Sequence, residues 1–242
     1  GLDVSSVKLL SPVARVPKIV AAPTNYQDHI IEMEAARQAG GSKHTAKIGT
    51  DGLFLKAPTS LVGPSEGVPV RFPERRTDHE LELVVVIGTA GKDIDASDAW
   101  KHVAGVTIGQ DISDRMVQFA AQPPHFDLGK SFDTFGPIGP FMYSTDHFSN
   151  LNDFTLETRI NDEVRQSDTT KNLIFDVPYL IQYLSHITTL SPGDIIFTGT
   201  PDGVGAAQGK FLRDGDVITT TIGGLGTMTN TCRRVSNFNK GN

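Results

Sequence analysis

Three acidic residues lead into a strongly apolar segment within the stretch TDHELELVVVIG, residues 77–88. Asp78, Glu80 and Glu82 stand at alternate positions, and successive strand side chains point to opposite faces, so one side of a strand is predicted to carry all three carboxylates. One explanation is an ordinary solvated strand face. The other is a hard divalent cation, which binds carboxylate oxygens and offsets their mutual repulsion. Such a cation needs at least one more carboxylate, and Asp111 is a candidate because it ends a predicted strand.

A histidine and a glutamate stand three residues apart in a predicted helix. The segment TNYQDHIIEMEAARQAG offers Asp28 as an N-cap, and the helical pattern fades at Gly40 and Gly41. Side chains at positions i and i+3 of a helix are neighbours, so Glu32 can orient and polarise His29 as a general base. The alternative is a His–Glu pair on the protein surface.

Two glycine-containing segments carry further candidates. Lys130 lies in LGKSFDTFGPIGP between two turns, where it is either a solvated turn residue or a cation directed at an anionic substrate. The segment FTGTPDGVG lacks the Lys-Ser or Lys-Thr of a phosphate-binding loop, and no helix pattern begins there. Backbone N–H groups of such a turn can still bind a carboxylate. Cys232 has no base nearby in the sequence and is predicted to be a buried packing residue.

Many short elements must position these residues, because 24 glycines and 14 prolines are spread through the chain. This punctuation favours a strand-rich fold. One clear helix is predicted in FDVPYLIQYLSHI, with Asp176 as its N-cap and an apolar stripe formed by Leu180, Ile181, Leu184 and Ile187. A second helix is predicted over residues 95–102, with Asp95 as its N-cap. Strands are predicted at residues 19–22, in LFLKAP, VPVRFP, VAGVTIGQD and SPGDIIFTGTP, on either side of a turn at Asn161-Asp162 and near the C-terminus, whereas GGSKHTAKIGTDG is predicted to be a mobile surface loop.

The overall composition argues against several classes of protein. The 242 residues are 38% hydrophobic and 21% charged, an ordinary mixture for one globular domain. A net charge of −6 argues against nucleic acid or an anionic membrane as the main partner. We find no apolar run approaching the roughly 20 residues of a membrane helix, and no signal-peptide pattern at the N-terminus. A single cysteine cannot form an internal disulfide, so the chain is predicted to be cytoplasmic.

Five segments, in their order along the chain, resemble the fumarylacetoacetate hydrolase family. They are NYQDHIIEM, DHELELVVVIG, GQDISDR, LGKSFDTFGPIGP and PGDIIFTGTPDGVG. The resemblance runs from about Ile19 to the C-terminal strands. It implies a mainly β fold with a few helices, arranged as a mixed β-sandwich roll. It also implies a homodimer, and it leads us to expect an N-terminal lead-in over residues 1–18 and a single catalytic domain over residues 19–242.

The same resemblance implies a metal site and a catalytic dyad. One Mg²⁺ or Mn²⁺ is expected to be held by Glu80, Glu82 and Asp111, and Ca²⁺ is a further candidate because the donors are all oxygen atoms. His29 and Glu32 match the family's dyad, which lies on a helix that orders over the substrate. The resemblance also implies a catalytic role for Lys130 and substrate contacts from Arg115, Gln118 and Thr200.

Some positions depart from the usual family pattern. Pro23-Thr24 replaces Gly-Leu before the dyad, residues 112–116 read Ile-Ser-Asp-Arg-Met where Val-Ser-Ala-Arg-Asp is usual, and His125-Phe126 replaces Gln-Trp. The loop over residues 40–52 is also long. These changes leave the expected metal ligands intact and bear on the identity of the substrate.

The activity that the resemblance implies is hydrolysis of a carbon–carbon bond in a 2,4-dioxo acid of the acylpyruvate type, which gives a 2-oxo acid and a carboxylic acid. His29, oriented by Glu32, is expected to deprotonate the attacking water. Lys130 and Arg115 are expected to neutralise charge that develops on substrate oxygens. The alternative is a decarboxylase or isomerase that acts on a 2-oxo acid or diacid through a metal-stabilised enolate. A catalytically silent metal-binding protein is the third hypothesis, which the intact set of candidate residues opposes.

Overall fold

The computed structural model of the chain describes residue 3 and residues 6–39, 52–70 and 76–235. Strands in this part of the chain are β1 (Ile19–Ala21), β2 (Phe54–Lys56), β3 (Leu61–Val62), β4 (Val68–Val70), β5 (Thr77–Asp78), β6 (Leu81–Ile87), β7 (Val103–Gln110), β8 (Ser113–Asp114), β9 (Gly136–Tyr143), β10 (Thr155–Ile160), β11 (Glu163–Thr169), β12 (Ile195–Phe197), β13 (Val217–Ile222) and β14 (Gly226–Arg234). Its α-helices are α1 (Gln27–Ala39), α2 (Arg115–Gln118), α3 (Phe126–Gly129), α4 (Val177–Ile187) and α5 (Gly205–Gln208). Short 3₁₀ helices cover Pro58–Ser60, Ala96–His102, Thr145–His147 and Thr170–Asn172.

Most of these strands belong to two mixed sheets. The strand order is β2-β1-β12-β6-β7-β9-β3 in the larger sheet and β11-β10-β13-β14-β4 in the smaller one, while β5 and β8 form a separate pair. The larger sheet contains the parallel pairs β1–β12 and β3–β9, and the smaller sheet contains the parallel pair β4–β14. Antiparallel pairs make up the rest of the two sheets. The mainly β fold with a few helices is therefore confirmed.

The main apolar core lies between the two sheets. It combines Leu83 and Val85 of β6 with Leu156 of β10. Val84 and Val86 alternate with them along β6 and belong to a second cluster on the opposite face of the larger sheet. Strand β6 is thus buried on both faces, which explains its continuous apolar sequence.

Helix α4 forms as the sequence predicts, with one exception at its end. Asp176 caps its N-terminus by accepting a backbone hydrogen bond of 2.9 Å. Leu180, Ile181 and Leu184 are buried in the main core. Ile187, however, is 65% exposed, because it is the last helical residue and projects past the core. The predicted apolar stripe is therefore one residue too long.

Two other local predictions are confirmed. Strands β10 and β11 pair as an antiparallel hairpin, and Asn161 at its turn has a φ of 56°, in the left-handed region. Asp95 caps the helix over Ala96–His102 through a hydrogen bond from Ser97 N at 3.0 Å, although this helix is of the 3₁₀ type.

Two predictions about element boundaries are wrong. Residues 77–88 form two strands, β5 and β6, so Asp78, Glu80 and Glu82 do not lie on one continuous strand. The break at His79 arises because β5 pairs with β8, whereas β6 pairs with β7. Helix α1 begins at Gln27, which places the predicted N-cap in its first turn.

The predicted end of α1 at Gly40-Gly41 lies outside the described residues. The same holds for the predicted loop over residues 40–52, except for Gly52. In the part of the chain that the structure describes, the longest helix is α1 with 13 residues, and none of the helices has the length and apolarity needed to cross a membrane.

Candidate active site

The three predicted metal ligands come together where β6 begins and β7 ends. The two strands are antiparallel, with Leu81 opposite Gln110, so the residues just before β6 and just after β7 are neighbours. Glu80, Glu82 and Asp111 each place one carboxylate oxygen within 4.8 Å of the others, and all three residues are buried. A solvated strand face is therefore excluded as the explanation for the paired glutamates.

Two buried lysines contact these carboxylates. Lys130 Nζ donates to Glu80 Oε2 at 2.6 Å, to Asp111 Oδ2 at 2.7 Å and to Ser113 Oγ at 2.8 Å. Lys56 Nζ donates to Asp111 Oδ1 at 2.7 Å and to two backbone carbonyl oxygens at 2.5 and 2.8 Å. Lys130 is thus a cation within the site and not a solvated turn residue. Lys56 is a site residue that the sequence analysis missed.

Arg115 holds a second group of charges at the same site. Its Nε and Nη2 atoms donate to Asp78 Oδ2 at 2.9 and 2.7 Å, and Nη2 lies 2.7 Å from Glu80 Oε1. Its Nη1 donates to Gln118 Oε1 at 2.9 Å. Two of the three predicted substrate-binding side chains, Arg115 and Gln118, are therefore held in fixed orientations by protein partners. Asp78, to which the sequence analysis assigned no ligand role, anchors the arginine.

The glycine-containing turn over residues 199–206 binds three carboxylates through its backbone N–H groups. These bonds run from Gly199 N to Glu82 Oε2 (2.5 Å), from Gly203 N to Glu32 Oε2 (2.9 Å), from Gly205 N to Asp78 Oδ1 (2.7 Å) and from Ala206 N to Asp78 Oδ2 (2.8 Å). The expectation that backbone N–H groups of this turn can bind a carboxylate is confirmed. The carboxylates that they bind here are the protein's own side chains. The expectation that no helix begins there is wrong, since α5 starts at Gly205 and is too short to show a helical period.

The predicted dyad lies on α1, against this turn. His29 is only 5% exposed, which excludes the surface-pair alternative. Its Nδ1 atom lies 3.6 Å from Glu32 Oε2, beyond the normal hydrogen-bond distance. Glu32 is fixed by Gly203 N, and His29 Nδ1 has no hydrogen-bond partner among the described residues. The arrangement therefore directs Nδ1 towards a carboxylate.

One pocket connects the dyad to the acidic cluster. Its polar lining consists of Thr24, His29, Glu80, Arg115, Gln118, Lys130 and Thr200. Apolar walls are provided by Met33, Phe54, Phe119 and Phe126. Every predicted catalytic and substrate-binding residue thus lines the pocket except Glu32, which lies behind His29. An adjoining cleft of about 850 Å³ shares Met33, Arg115 and Phe119 with the pocket.

The charge balance of the buried cluster fits a divalent cation. With every group ionised, four neighbouring carboxylates and three cationic side chains sum to one net negative charge: Asp78, Glu80, Glu82 and Asp111 against Lys56, Lys130 and Arg115. Burial acts to raise the pKa of Glu80, but Lys130 and Arg115 outweigh it and lower this pKa to about 2. Burial and the charges of Asp111 and Glu80 raise the pKa of Glu82 well above its usual value. A hard cation beside Glu82 would relieve this repulsion, and the all-oxygen donor set suits Mg²⁺, Mn²⁺ or Ca²⁺.

Two buried glutamines connect the site to the smaller sheet. Gln110 Oε1 accepts a hydrogen bond from Glu80 N at 2.9 Å, and Gln166 Oε1 accepts one from Leu81 N at 3.0 Å. Gln110 Nε2 then donates to the hydroxyls of Thr158 and Thr220 on the smaller sheet. Neither glutamine could be predicted from the sequence, because a lone glutamine at the end of β7 or within β11 carries no recognisable signal.

A mixed β-sandwich that holds an acidic cluster beside a buried histidine agrees with the resemblance found in the sequence. The family described as fumarylacetoacetate (FAA) hydrolase, C-terminal, matches residues 18–233. The chain belongs to this family.

Several relatives are similar to this chain over most of their length. Maleylpyruvate hydrolase from Aquipseudomonas alcaligenes is 38% identical over 233 residues, which cover 96% of this chain and 77% of the relative. A crystal structure of a probable 2-hydroxyhepta-2,4-diene-1,7-dioate isomerase from Mycobacterium abscessus superposes with a TM-score of 0.83 at 32% identity, over 97% of this chain and 82% of that one. A maleylpyruvate hydrolase from a Sphingobium species, in complex with manganese(II) and pyruvate, gives a TM-score of 0.76 at 31% identity, over 95% and 75% of the two chains.

Proposed function

We propose that this protein is a divalent-metal-dependent hydrolase that cleaves a carbon–carbon bond in an acylpyruvate-type 2,4-dioxo acid. The observation that carries the proposal is that Glu80, which is grouped with the buried Glu82 and Asp111, lines the same pocket as the buried His29. A metal-binding protein without catalysis has no need for a buried histidine and glutamate next to its ligands. The similarity to maleylpyruvate hydrolases supports the same reaction class.

The metal in this proposal is Mg²⁺ or Mn²⁺, with Ca²⁺ as a further candidate ion, held by Glu80, Glu82 and Asp111. When bound, such a cation supplies Lewis-acid stabilisation of the negative charge that develops on the 2-oxo acid. The manganese and pyruvate in the Sphingobium structure support a divalent cation and a small 2-oxo acid ligand.

The reaction consumes one water and breaks the bond between C3 and C4 of the substrate. His29 Nε2 takes a proton from this water while Glu32 stabilises the resulting imidazolium through Nδ1. The water oxygen adds to the C4 carbonyl, and C3 leaves with the bonding electron pair and is then protonated. Lys130 and Arg115 stabilise negative charge on the substrate oxygens. The products are a 2-oxo acid and the carboxylic acid that contains C4.

The alternative is isomerisation or decarboxylation of a 2-oxo acid or diacid, and the similarity to a probable dioate isomerase favours the isomerase version. These reactions need the same acidic cluster but no attacking water. Incubation of the Mg²⁺- or Mn²⁺-loaded protein with 2,4-dioxo acids, oxaloacetate and unsaturated 2-oxo diacids, followed by product identification, separates the alternatives. Hydrolysis products from a dioxo acid support the proposal, whereas isomerised or decarboxylated products alone would overturn it.

Replacement of His29 tests the base directly. We expect His29→Ala to lose hydrolysis by about 10²- to 10⁴-fold, the usual contribution of a general base, while Mn²⁺ affinity stays near that of the native protein. Glu80→Gln is the matched variant, for which we expect strongly weakened Mn²⁺ binding by titration calorimetry. Full turnover in His29→Ala would remove His29 as the base, and unchanged Mn²⁺ affinity in Glu80→Gln would remove Glu80 as a ligand.

We also propose that the protein works as a cytoplasmic homodimer on a small-molecule substrate, as the family resemblance suggests. The one cysteine, Cys232, is free and buried, which is compatible with a reducing compartment. Sedimentation velocity measures the oligomeric state, and a monomer at micromolar concentration would contradict the homodimer.

A further inference from the structure

The hydroxyl of Thr200 is held by a glutamine from the smaller sheet. Gln166 lies on β11 and is 1% exposed. Its Oε1 accepts from Leu81 N at 3.0 Å, and its Nε2 donates to Thr200 Oγ1 at 2.8 Å and to the carbonyl oxygen of Pro201 at 3.0 Å. Thr200 itself is 3% exposed and lines the same pocket as Lys130.

The surrounding backbone fixes which way the Gln166 amide points. The Leu81 N–H can only donate, so it requires the amide oxygen on its side. The Pro201 carbonyl can only accept, so it requires the amide NH₂ on the other side. Both ends of the amide therefore require the same orientation, because the flipped amide would place two donors together at Leu81 and two acceptors together at Pro201.

The amide orientation in turn decides the polarity of the Thr200 hydroxyl. A threonine hydroxyl has one proton to donate and two lone pairs that accept. Since Gln166 Nε2 is the donor, Thr200 Oγ1 is the acceptor in that bond, and its own proton must point elsewhere. Among the described residues, no group accepts a hydrogen bond from this proton. The side of the hydroxyl away from Gln166 therefore faces the pocket that Thr200 lines.

We propose that Gln166 is a positioning residue that directs the hydroxyl proton of Thr200 into the pocket, where it donates a hydrogen bond to an anionic oxygen of the ligand. This proposal rests on the proposed function in one respect: the group that accepts the hydrogen bond is the carboxylate or enolate oxygen of a 2-oxo acid. It adds that the smaller sheet, which supplies no predicted catalytic residue, controls the ligand preference of the site. A ligand group that donates at this position would be disfavoured, because it could bond only the second lone pair of Thr200 Oγ1 and would leave the hydroxyl proton without an acceptor.

A double-mutant cycle on ligand affinity tests the coupling between Gln166 and Thr200. The probe is oxalate, a non-reacting dicarboxylate, titrated calorimetrically into the Mn²⁺-loaded protein. We expect Thr200→Val to weaken oxalate binding by about 10- to 100-fold, as for the loss of a hydrogen bond to a charged group. Gln166→Glu should weaken it to a similar extent, because a carboxylate accepts the Thr200 proton and turns it away from the pocket.

Non-additivity is the decisive result. We expect Gln166→Glu to have little further effect in the Thr200→Val background, and Thr200→Ser, which keeps the hydroxyl, to stay within a few-fold of the native protein and retain the coupling. Gln110→Glu is the matched control, since it adds the same charge and also contacts the backbone before β6 but does not touch Thr200. Its effect should be additive with Thr200→Val. Additive effects for Gln166→Glu as well would overturn the proposal.

A neutron diffraction structure of the native protein without ligand examines the same point independently of any reaction or variant. We expect deuterium density on the Gln166 amide facing Thr200 and on the Thr200 hydroxyl facing the pocket. A Thr200 deuteron directed at Gln166 would overturn the proposal even if the protein hydrolyses dioxo acids. Failure to bind oxalate or to turn over dioxo acids, with the deuterons placed as expected, would instead count against the proposed function alone.

Discussion

Asp78 shows how much of the site depends on a carboxylate outside the expected metal ligands. Its Oδ1 accepts from His79 N at 2.9 Å and Gly205 N at 2.7 Å, and its Oδ2 accepts from Ala206 N and from two nitrogens of Arg115. Burial acts to raise the pKa of Asp78, but Arg115 and these hydrogen bonds outweigh it and lower the pKa below its usual value. The ionised form is therefore the form that the fold stabilises.

We expect Asp78→Asn to destabilise the protein by about 3–5 kcal/mol at pH 7, because an amide cannot accept from all these donors and leaves Arg115 under-neutralised. Urea denaturation followed by circular dichroism measures the loss. Asp95→Asn, which alters an exposed helix cap, is the matched control and should cost much less. Equal losses in the two variants would show that Asp78 is not a special anchor.

The same carboxylate predicts a pH dependence with a definite sign. The folded-state pKa of Asp78 is lowered, so its contribution to stability is complete above the unfolded pKa of about 3.9 and is lost as the pH falls towards the folded value. The stability difference between the native protein and Asp78→Asn should therefore shrink below about pH 4. A difference that grows on acidification would contradict this assignment.

Among the elements, the turn over residues 199–206 has the most specific backbone requirement. Gly203 has a φ of +95°, and a Cβ atom there would lie 1.8 Å from the carbonyl oxygen of Arg165. Gly203 N also holds Glu32, the partner of His29. The glycine thus serves the dyad and not a phosphate group, as the missing lysine of a phosphate-binding loop already indicated.

We expect Gly203→Ala to reduce both stability and activity, because the turn must move away from β11 and release Glu32. Gly215→Ala is the matched control: Gly215 also has a positive φ, +86°, but a Cβ atom there meets nothing within 4 Å. It should lose only about 1–2 kcal/mol for the left-handed backbone and keep its activity. Thermal unfolding and turnover of both variants decide the point, and equal behaviour would show that the clash is irrelevant.

At the scale of the whole molecule, the site is a buried patch of net negative charge between two strands of the larger sheet. Folding encloses Glu80, Glu82 and Asp111 together and raises the pKa of Glu82 through burial and repulsion. A cation that binds only the folded chain would relieve this repulsion and couple to global stability.

We expect Mn²⁺ to stabilise the folded protein by about 2.7 kcal/mol when its free concentration is 100 times its dissociation constant. Calorimetric unfolding at increasing Mn²⁺ concentration measures this stabilisation. Glu82→Gln should be at least as stable as the native protein in a chelator, because the neutral amide removes repulsion, but should gain little from Mn²⁺. An equal gain in Glu82→Gln would place the ion elsewhere.

Local sequence patterns determined much of this protein. The apolar run of β6, the hairpin at Asn161 and the cap at Asp176 were predictable because each depends on residues close together in the chain. The order of five motif-bearing segments along the chain also indicated the family, and with it the acidic cluster and the dyad. These features were accessible because helical and strand periods and turn chemistry are local properties.

Only the tertiary structure decided which partners surround those residues. Lys56 is buried against Asp111, while its neighbour Leu55 is 59% exposed, the reverse of what their hydrophobicity predicts. Gln166 reaches Leu81 and Thr200 from the other sheet, across 85 and 34 residues of sequence. Such contacts follow from the pairing of strands and the packing of two sheets, and the burial of an ion or an amide depends on partners that local sequence does not contain. The acidic residues before β6 could thus be recognised from the sequence, but the cations, amides and backbone N–H groups that hold them are fixed only by the folded chain.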